Sequence, residues 1–386
     1  MKVGLSVSVI QRGKSGVATY VGGLLKGMAA GSWPAKVVLF GLEEDRDWFA
    51  PWLEHCEWVG VPERLRPAVK NILWHQTIFP GLLRKHGCDV VHIPSYRRIV
   101  AWPGIPQVVT IHDLAPFRLA GKYDCLRMFY GRHVVKWLAR RVDAVTAVSE
   151  TTAADIREFF NVRPERLSVI YNGIEHERFY PLSPEEIRRR LPITADWNEP
   201  WWLYVARLEH PGKNHLRLLK AFESVCADEP ASMSRLVLAG ADWHGAREIH
   251  EAIAASPVRK RIHCAGFVPE EELPAWYSGA IGLVFPSLFE GFGLPPIEAM
   301  ACGCRVLCSD RGSLPEVTGG AADIFDPEDS EAIAKSMRNL LASPDQQKAK
   351  LEAGLARAGS FLWESCANQT LALYDAACGK PTPRKP

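Results

Sequence analysis

The sequence predicts two α/β domains, each a doubly wound parallel sheet, and three observations carry that prediction. At 386 residues the chain exceeds one ordinary domain and suits two, each with its own core. Short apolar runs alternate with longer helical patterns from end to end, the signature of parallel strands covered by helices on both faces. A polar, proline-containing segment, residues 175–200, separates two such series and is expected to be the linker. The expected division is 1–180, 181–360, and a closing helix and tail over 361–386.

Composition agrees with a globular chain: 47% hydrophobic, 23% charged, without repeats or low-complexity runs. No apolar run approaches the ~20 residues of a membrane helix. The start, Met1-Lys2-Val3-Gly4, enters a strand pattern directly and lacks a signal-peptide layout. The ten cysteines form no framework, and Cys302, Cys304 and Cys308 lack zinc spacing, so they read as reduced core residues of a cytoplasmic protein. The net charge of +2 conceals an asymmetry, because residues 1–180 hold 24 Lys and Arg against 17 Asp and Glu. Such a basic half is either a solvated surface or an attraction to anionic headgroups, at roughly 1 kcal/mol per well-placed cation.

In the first half, strands are expected at 3–10, 37–40, 90–93, 108–111, 144–148 and 167–171. After the first strand, Gly13-Lys14-Ser15 suggests a P-loop, but Ser8 stands where that motif needs its first glycine. A loop feeding a helix near Val17 remains, able to bring backbone N–H groups toward a diphosphate. Residues 62–85 mix Arg64, Arg66, Lys70, Arg84 and Lys85 with Val69, Leu73, Trp74, Ile78 and Phe79. This amphipathic stretch suits either a membrane surface or a helix lying on its own sheet. Tyr96 and Arg97 follow a strand end, where acceptor contacts could sit. His112, beside Asp113, ends another strand. A helix is expected over 127–141, with Arg132, Lys136, Arg140 and Arg141 solvated. Ser149 and Asn172 close the next two strands.

The second half expects strands at 202–206, 236–239, 262–265, 281–285, 305–308 and 322–325. Arg207 ends the first, and a Pro211-Gly212 turn returns Lys213 six residues later. Two cations at one strand end suit a diphosphate, one as a planar fork and one as a point charge. The strand ending at Phe285 runs into a loop carrying Glu290, Gly291, Phe292, Gly293 and Leu294. Pro295 and Pro296 suit the first turn of a helix that bears Glu298, and Gly303 suits its left-handed end. Carboxylates crowded among Phe285, Phe289, Phe292 and Leu294 are costly to desolvate unless something bonds them, and sugar hydroxyls are natural partners. The start of that helix also favours an anion.

The pair Glu290 and Glu298, eight apart around G-F-G-L-P, closely resembles the E-x7-E signature of family 4 glycosyltransferases, retaining enzymes of the GT-B fold. The resemblance spans nearly the whole chain and is strongest from residue 202 to 327. It implies two Rossmann-like domains facing across a cleft, with a last helix crossing back to the first. Residue by residue, Arg207 and Lys213-Asn214 match the family's R…K-N pattern at the donor phosphates. His112-Asp113 matches the H-D pair beside the donor sugar, and Gly16 the glycine that approaches the donor. Phe267 and Val268 fall in the loop bordering the nucleobase. Glu298 is expected to grip the ribose, and Glu290 the hydroxyls of the transferred sugar, with N–H groups of Gly291 to Leu294 in support.

The expected function is therefore retaining transfer of a hexose, mannose or glucose-like, from a GDP- or UDP-linked donor to a hydroxyl. No metal or other cofactor is expected, and no nucleic acid. Tyr96, Arg97 and Asp113 are the acceptor candidates. The expected acceptor is a lipid-linked surface glycan, met by a cytoplasmic enzyme touching the inner leaflet through its N-terminal domain. A soluble acceptor is the alternative, and a silent sugar-nucleotide-binding protein the reading from another class.

Overall fold

A computed structural model describes residues 1–13, 15–118, 129–191, 199–228, 234–342 and 344–379. The chain divides into two compact units. Residues 1–173 and the segment starting at Leu362 form the first, and Ile174–Phe361 the second.

The first unit holds β1 (Lys2–Ser6), β2 (Lys36–Leu42), β3 (Cys56–Val61), β4 (Val90–Ile93), β5 (Gln107–Ile111), β6 (Ala144–Ala147) and β7 (Leu167–Val169). They pair in parallel in the order β3-β2-β1-β4-β5-β6-β7. The strands are apolar on both faces because both are covered. Val38, Phe40, Val91 and Val109 pack into one core layer, and Val3, Leu5, Val37 and Leu39 into the other. β3 was not expected. It is an edge strand with Glu57 and Gly60 interrupting its apolar positions, so it lacks the continuous run that marks its neighbours. β1 ends at Ser6; the Val7 N–H still donates to the Phe40 carbonyl, and residues 8–10 turn rather than prolonging the strand.

The second unit repeats the plan with β8 (Trp201–Val205), β9 (Arg235–Ala239), β10 (Ile262–Gly266), β11 (Gly282–Phe285), β12 (Val306–Ser309) and β13 (Asp323–Phe325). Their order is β10-β9-β8-β11-β12-β13, again parallel. Each sheet thus reverses its strand order once, between β1 and β4 and between β8 and β11. Open α/β sheets bind ligands at the carboxyl side of such a reversal.

The expected linker is corrected. Its described part belongs to the second unit, because Phe179, Leu182 and Leu191 are buried there. The helix Pro184–Arg190, started by a Ser183–Glu186 capping box, lies on the helix Leu273–Gly279, and Ser278 Oγ accepts from the Leu182 N–H at 3.2 Å. Residues 192–198 of that segment, Lys14, Arg127 and the tail 380–386 lie outside the described residues. The described part of the helix expected over 127–141 ends at Ala139.

The closing helix Trp363–Ala377 packs on the helix Gly16–Ala30 of the first unit. Gly23 and Gly27, one turn apart, permit the close approach: a Cβ at Gly23 would stand 2.0 Å from the Trp363 ring, and one at Gly27 2.2 Å from its carbonyl. His92 Nδ1 and Tyr374 Oη, 2.6 Å apart, share a hydrogen bond that fixes the closing helix to the sheet interior.

Candidate functional site

In the second unit, the segments leaving β8 and β11 on either side of the strand reversal bring Lys213 and Glu290 together. Lys213 Nζ lies 2.6 Å from Glu290 Oε1, and both side chains are largely shielded. Their backbones are clamped. The Leu288 N–H donates to the Gly212 carbonyl at 3.0 Å, and Tyr204 Oη to the Lys213 carbonyl at 2.6 Å. Asn214 Nδ2 donates to the carbonyls of Pro286 and Pro327, so the Asn of the K-N pair ties three loops. Arg207 lies over the Trp243 ring, with its Nη2 3.4 Å from the buried Glu209 carboxylate. A ring on one side and a carboxylate on another hold its fork in one orientation.

Glu290 has a support that the sequence reading missed. The Ser313 N–H and Oγ donate to its carbonyl, and Oγ also to that of Phe292. Gly312, at φ +62°, leaves no room for a side chain, since a Cβ would lie 2.6 Å from the Glu290 carbonyl oxygen. Gly291, Phe292 and Gly293 are buried, and Gly293, at φ +90°, precedes the helix Leu294–Ala301.

Glu298 is corrected in place: it opens the second turn of that helix, not the first, because the helix begins at Leu294. Its Oε2 accepts from Tyr277 Oη at 2.9 Å. Burial pushes its pKa up to about 7, with the Tyr277 hydrogen bond pulling the other way. Phe267, more than half exposed, and Val268 follow β10.

In the first unit, His112 directly follows β5 with its ring edge-on to Tyr20 at 4.9 Å. Burial lowers its pKa to about 4, against the opposing pull of Asp113 and of a hydrogen bond to the Pro94 backbone. Nε2 is buried and has no hydrogen-bond partner among the described residues. The bond to the Pro94 carbonyl therefore belongs to Nδ1–H, leaving Nε2 as an unprotonated acceptor. Tyr20, another residue missed from sequence, is held in turn by Thr110 at 3.0 Å. Asp113 Oδ1 accepts from the Ala115 N–H, capping the short helix Ala115–Arg118. Gly16 is the first residue of its helix, capped by Ser15, and nothing lies within 4 Å of where its side chain would stand. Tyr96 and Arg97 occupy a single turn after β4, with Arg97 Nε and Nη2 each 3.2 Å from Tyr96 Oη.

The amphipathic stretch divides between its two readings. Trp74, Phe79 and Leu83 enter the core, while Val69, Leu73 and Ile78 are more than half exposed. A separate open cavity of about 840 Å3, lined by Trp137, Arg140, Arg141, Asn161, Arg163 and Arg166 among others, lies at the amino ends of β6 and β7. His112 follows the carboxyl end of β5, at the opposite end of the strands from this cavity.

Twin doubly wound parallel sheets are the architecture of the GT-B class of glycosyltransferases, and Lys213 meets Glu290 at the strand reversal of the second. The family profile "Glycosyltransferase Family 4" matches residues 14–178, and "Glycosyl transferases group 1" matches 186–356. O-antigen chain mannosyltransferase B of Escherichia coli is 32% identical over 273 residues, covering 69% of each chain. MMP alpha-(1->4)-mannosyltransferase of Mycolicibacterium hassiacum is 30% identical over 315 residues, covering 77% of this chain and 72% of that one. In fold, the chain matches sucrose-phosphate synthase from Thermosynechococcus elongatus with a TM-score of 0.79, 24% identity, and coverage of 97% and 98%. The protein belongs to glycosyltransferase family 4. No helix among the described residues is long and apolar enough to cross a membrane.

Proposed function

We propose that the protein is a retaining, metal-independent hexosyltransferase, acting on a lipid-linked surface glycan with a GDP- or UDP-linked hexose, mannose or a glucose-like sugar, as donor. The observation that carries the reading is the Lys213–Glu290 pair at 2.6 Å at the strand reversal of the second unit, with Arg207 on the same segment after β8 as Lys213. A cation that neutralises a leaving phosphate and a carboxylate that bonds hydroxyls must be neighbours if the sugar and its phosphate are bonded to each other. The mannosyltransferase relatives favour mannose and a surface glycan.

Arg207 and Lys213 hold the diphosphate and stabilise the charge that grows as it departs, the role a metal would otherwise serve. Glu298 takes the ribose hydroxyls, Phe267 and Val268 border the base, and Glu290 fixes the hexose with the backbone of Gly291 to Leu294. His112 Nε2 accepts a hexose hydroxyl. In a front-face substitution the acceptor oxygen bonds to the anomeric carbon as its bond to the phosphate oxygen breaks. The acceptor proton passes to that departing oxygen, and the configuration is kept. A nucleophilic side chain is then not required. His112, neutral above about pH 5, serves as an acceptor rather than an acid.

Transfer from GDP-mannose and UDP-glucose, read by nucleotide release, tests the reading. Lys213→Ala should lower kcat by about a hundredfold or more, and Arg207→Ala should weaken a nucleoside diphosphate far more than the nucleoside. Equal losses for both ligands remove Arg207 from the phosphates. An inverted anomer in the product, or activity abolished by EDTA, would overturn the mechanism.

Membrane contact is proposed through the exposed row Val69, Leu73 and Ile78 with Arg64 and Lys70 beside it.

A further inference from the structure

Among the described residues of the first unit, Arg98 is a part-buried cation without a carboxylate partner. Arg98 closes the turn Tyr96–Arg98 after β4, at the carboxyl side of the reversal between β1 and β4. Its Nε donates to Asn71 Oδ1 at 2.5 Å and its Nη1 to the Arg97 carbonyl at 3.3 Å. Asn71, itself buried, donates onward to Ser8 Oγ at 3.2 Å, just beyond β1. The chain Arg98–Asn71–Ser8 therefore spans the reversal, and every partner in it is neutral. Among the described residues no carboxylate reaches Arg98, and Nη2 has no hydrogen-bond partner. Burial lowers its pKa to about 10, with Tyr130 opposing the shift and Arg97 adding to it.

A part-buried guanidinium without a counter-charge is costly. The chain avoids the cost elsewhere: Arg305, more deeply buried, is paired with Asp323 at 2.7 Å. At Arg98 the neutral clamp fixes one edge of the fork and leaves Nη2 for something else. Arg97 and the Tyr96 ring stand on the same turn.

We propose that Arg98 seats a phosphate group carried by the acceptor, so that the acceptor is a phosphorylated or phosphate-linked glycan and not a neutral sugar. The inference rests on the glycosyltransferase reading, in which the donor phosphates belong to Arg207 and Lys213 of the second unit. A planar fork suits a phosphate, and its open edge would complete the charge pairing that the fold omits. Two sources share this chemistry. A lipid carrier's phosphate would reach Arg98 with its tail beside Leu73, which is exposed on the helix that bears Asn71. A soluble sugar phosphate would use Arg98 alone.

The test uses the whole chain saturated with GDP or UDP, so that the donor phosphate positions are filled. One arm titrates mannose 1-phosphate; the other adds polyprenyl phosphate in zwitterionic vesicles; glucose is the neutral control. The wild type should bind in at least one arm, and the arm that binds identifies the source. Arg98→Met should lose about tenfold or more of that affinity. Its melting temperature should stay close to that of the wild type, because deleting the part-buried charge offsets the lost hydrogen bond to Asn71 and the apolar stem is kept. Arg98→Gln, which replaces the charge by an amide, should show the same loss. Donor hydrolysis without acceptor should persist in both variants. Equal binding by wild type and variants in both arms, or no binding in either, overturns the proposal, as does a loss confined to donor affinity. Absence of donor hydrolysis in the wild type would instead count against the glycosyltransferase reading.

Discussion

Glu298 shows how one enclosed carboxyl couples binding to pH. An unfolded Glu ionises near 4.5, whereas the folded residue holds its proton to about 7. Between those values the folded chain binds more protons than the unfolded one, so the empty protein loses stability as pH rises through that window. Ribose hydroxyls donate best to the ionised form, so nucleotide affinity should move the opposite way. Titration calorimetry with a nucleoside diphosphate should show tightening by up to about tenfold from about pH 6 to about pH 8. Glu298→Gln should flatten the profile, and an unchanged slope would remove Glu298 from the ribose. One contact was readable here: a cation after β8 and a carboxylate after β11 were expected at one reversal, and Lys213 meets Glu290 there. What the sequence hid was support. Tyr20 under His112, Ser313 on the Glu290 carbonyl and Arg98 beside Asn71 are distant in sequence from what they hold, and no local spacing announces them.

At the scale of elements, the strands were legible because a parallel strand covered on both faces is a bare apolar run; β4 and β5 stand where their runs stand. β3 and the residues before Pro200 escaped for the same reason. Their burial is partial and comes from neighbours far along the chain, so polarity suggested a loop or linker. The loop after β11 shows how an element is tuned by another. Gly312 keeps a positive φ, with its missing side chain against the Glu290 backbone. Gly312→Ala should cost about 1–2 kcal/mol of stability through strain and contact. It should also reduce kcat more than nucleotide affinity, because Glu290 is displaced while Glu298 is not. Thermal unfolding and nucleotide-release kinetics check the two halves. A variant with wild-type kcat would show that Glu290 tolerates the shift.

Across the whole molecule, the positive charge of residues 1–180 is concentrated in at least two places. One is the stretch around the helix Ala68–Thr77, where Lys70 and Arg64 accompany exposed Val69, Leu73 and Ile78. The other is the arginine-lined cavity at the amino ends of β6 and β7. Only the first combines cations with an apolar row, and it lies on the carboxyl side of the sheet through Asn71 and Ser8. Insertion of apolar side chains adds to the attraction of cations for anionic headgroups, whereas cations alone give a weaker contact that salt removes. Leu73→Glu should therefore reduce sedimentation with phosphatidylglycerol vesicles severalfold and leave transfer to a soluble acceptor analogue unchanged. Leu73 is exposed, so the fold should be preserved. Arg163→Glu, in the cavity, should change vesicle binding less and only at low salt. If Arg163→Glu abolishes binding and Leu73→Glu does not, the opposite side of the first unit is the one that meets the membrane. The exposed row beside Asn71 would then need another explanation.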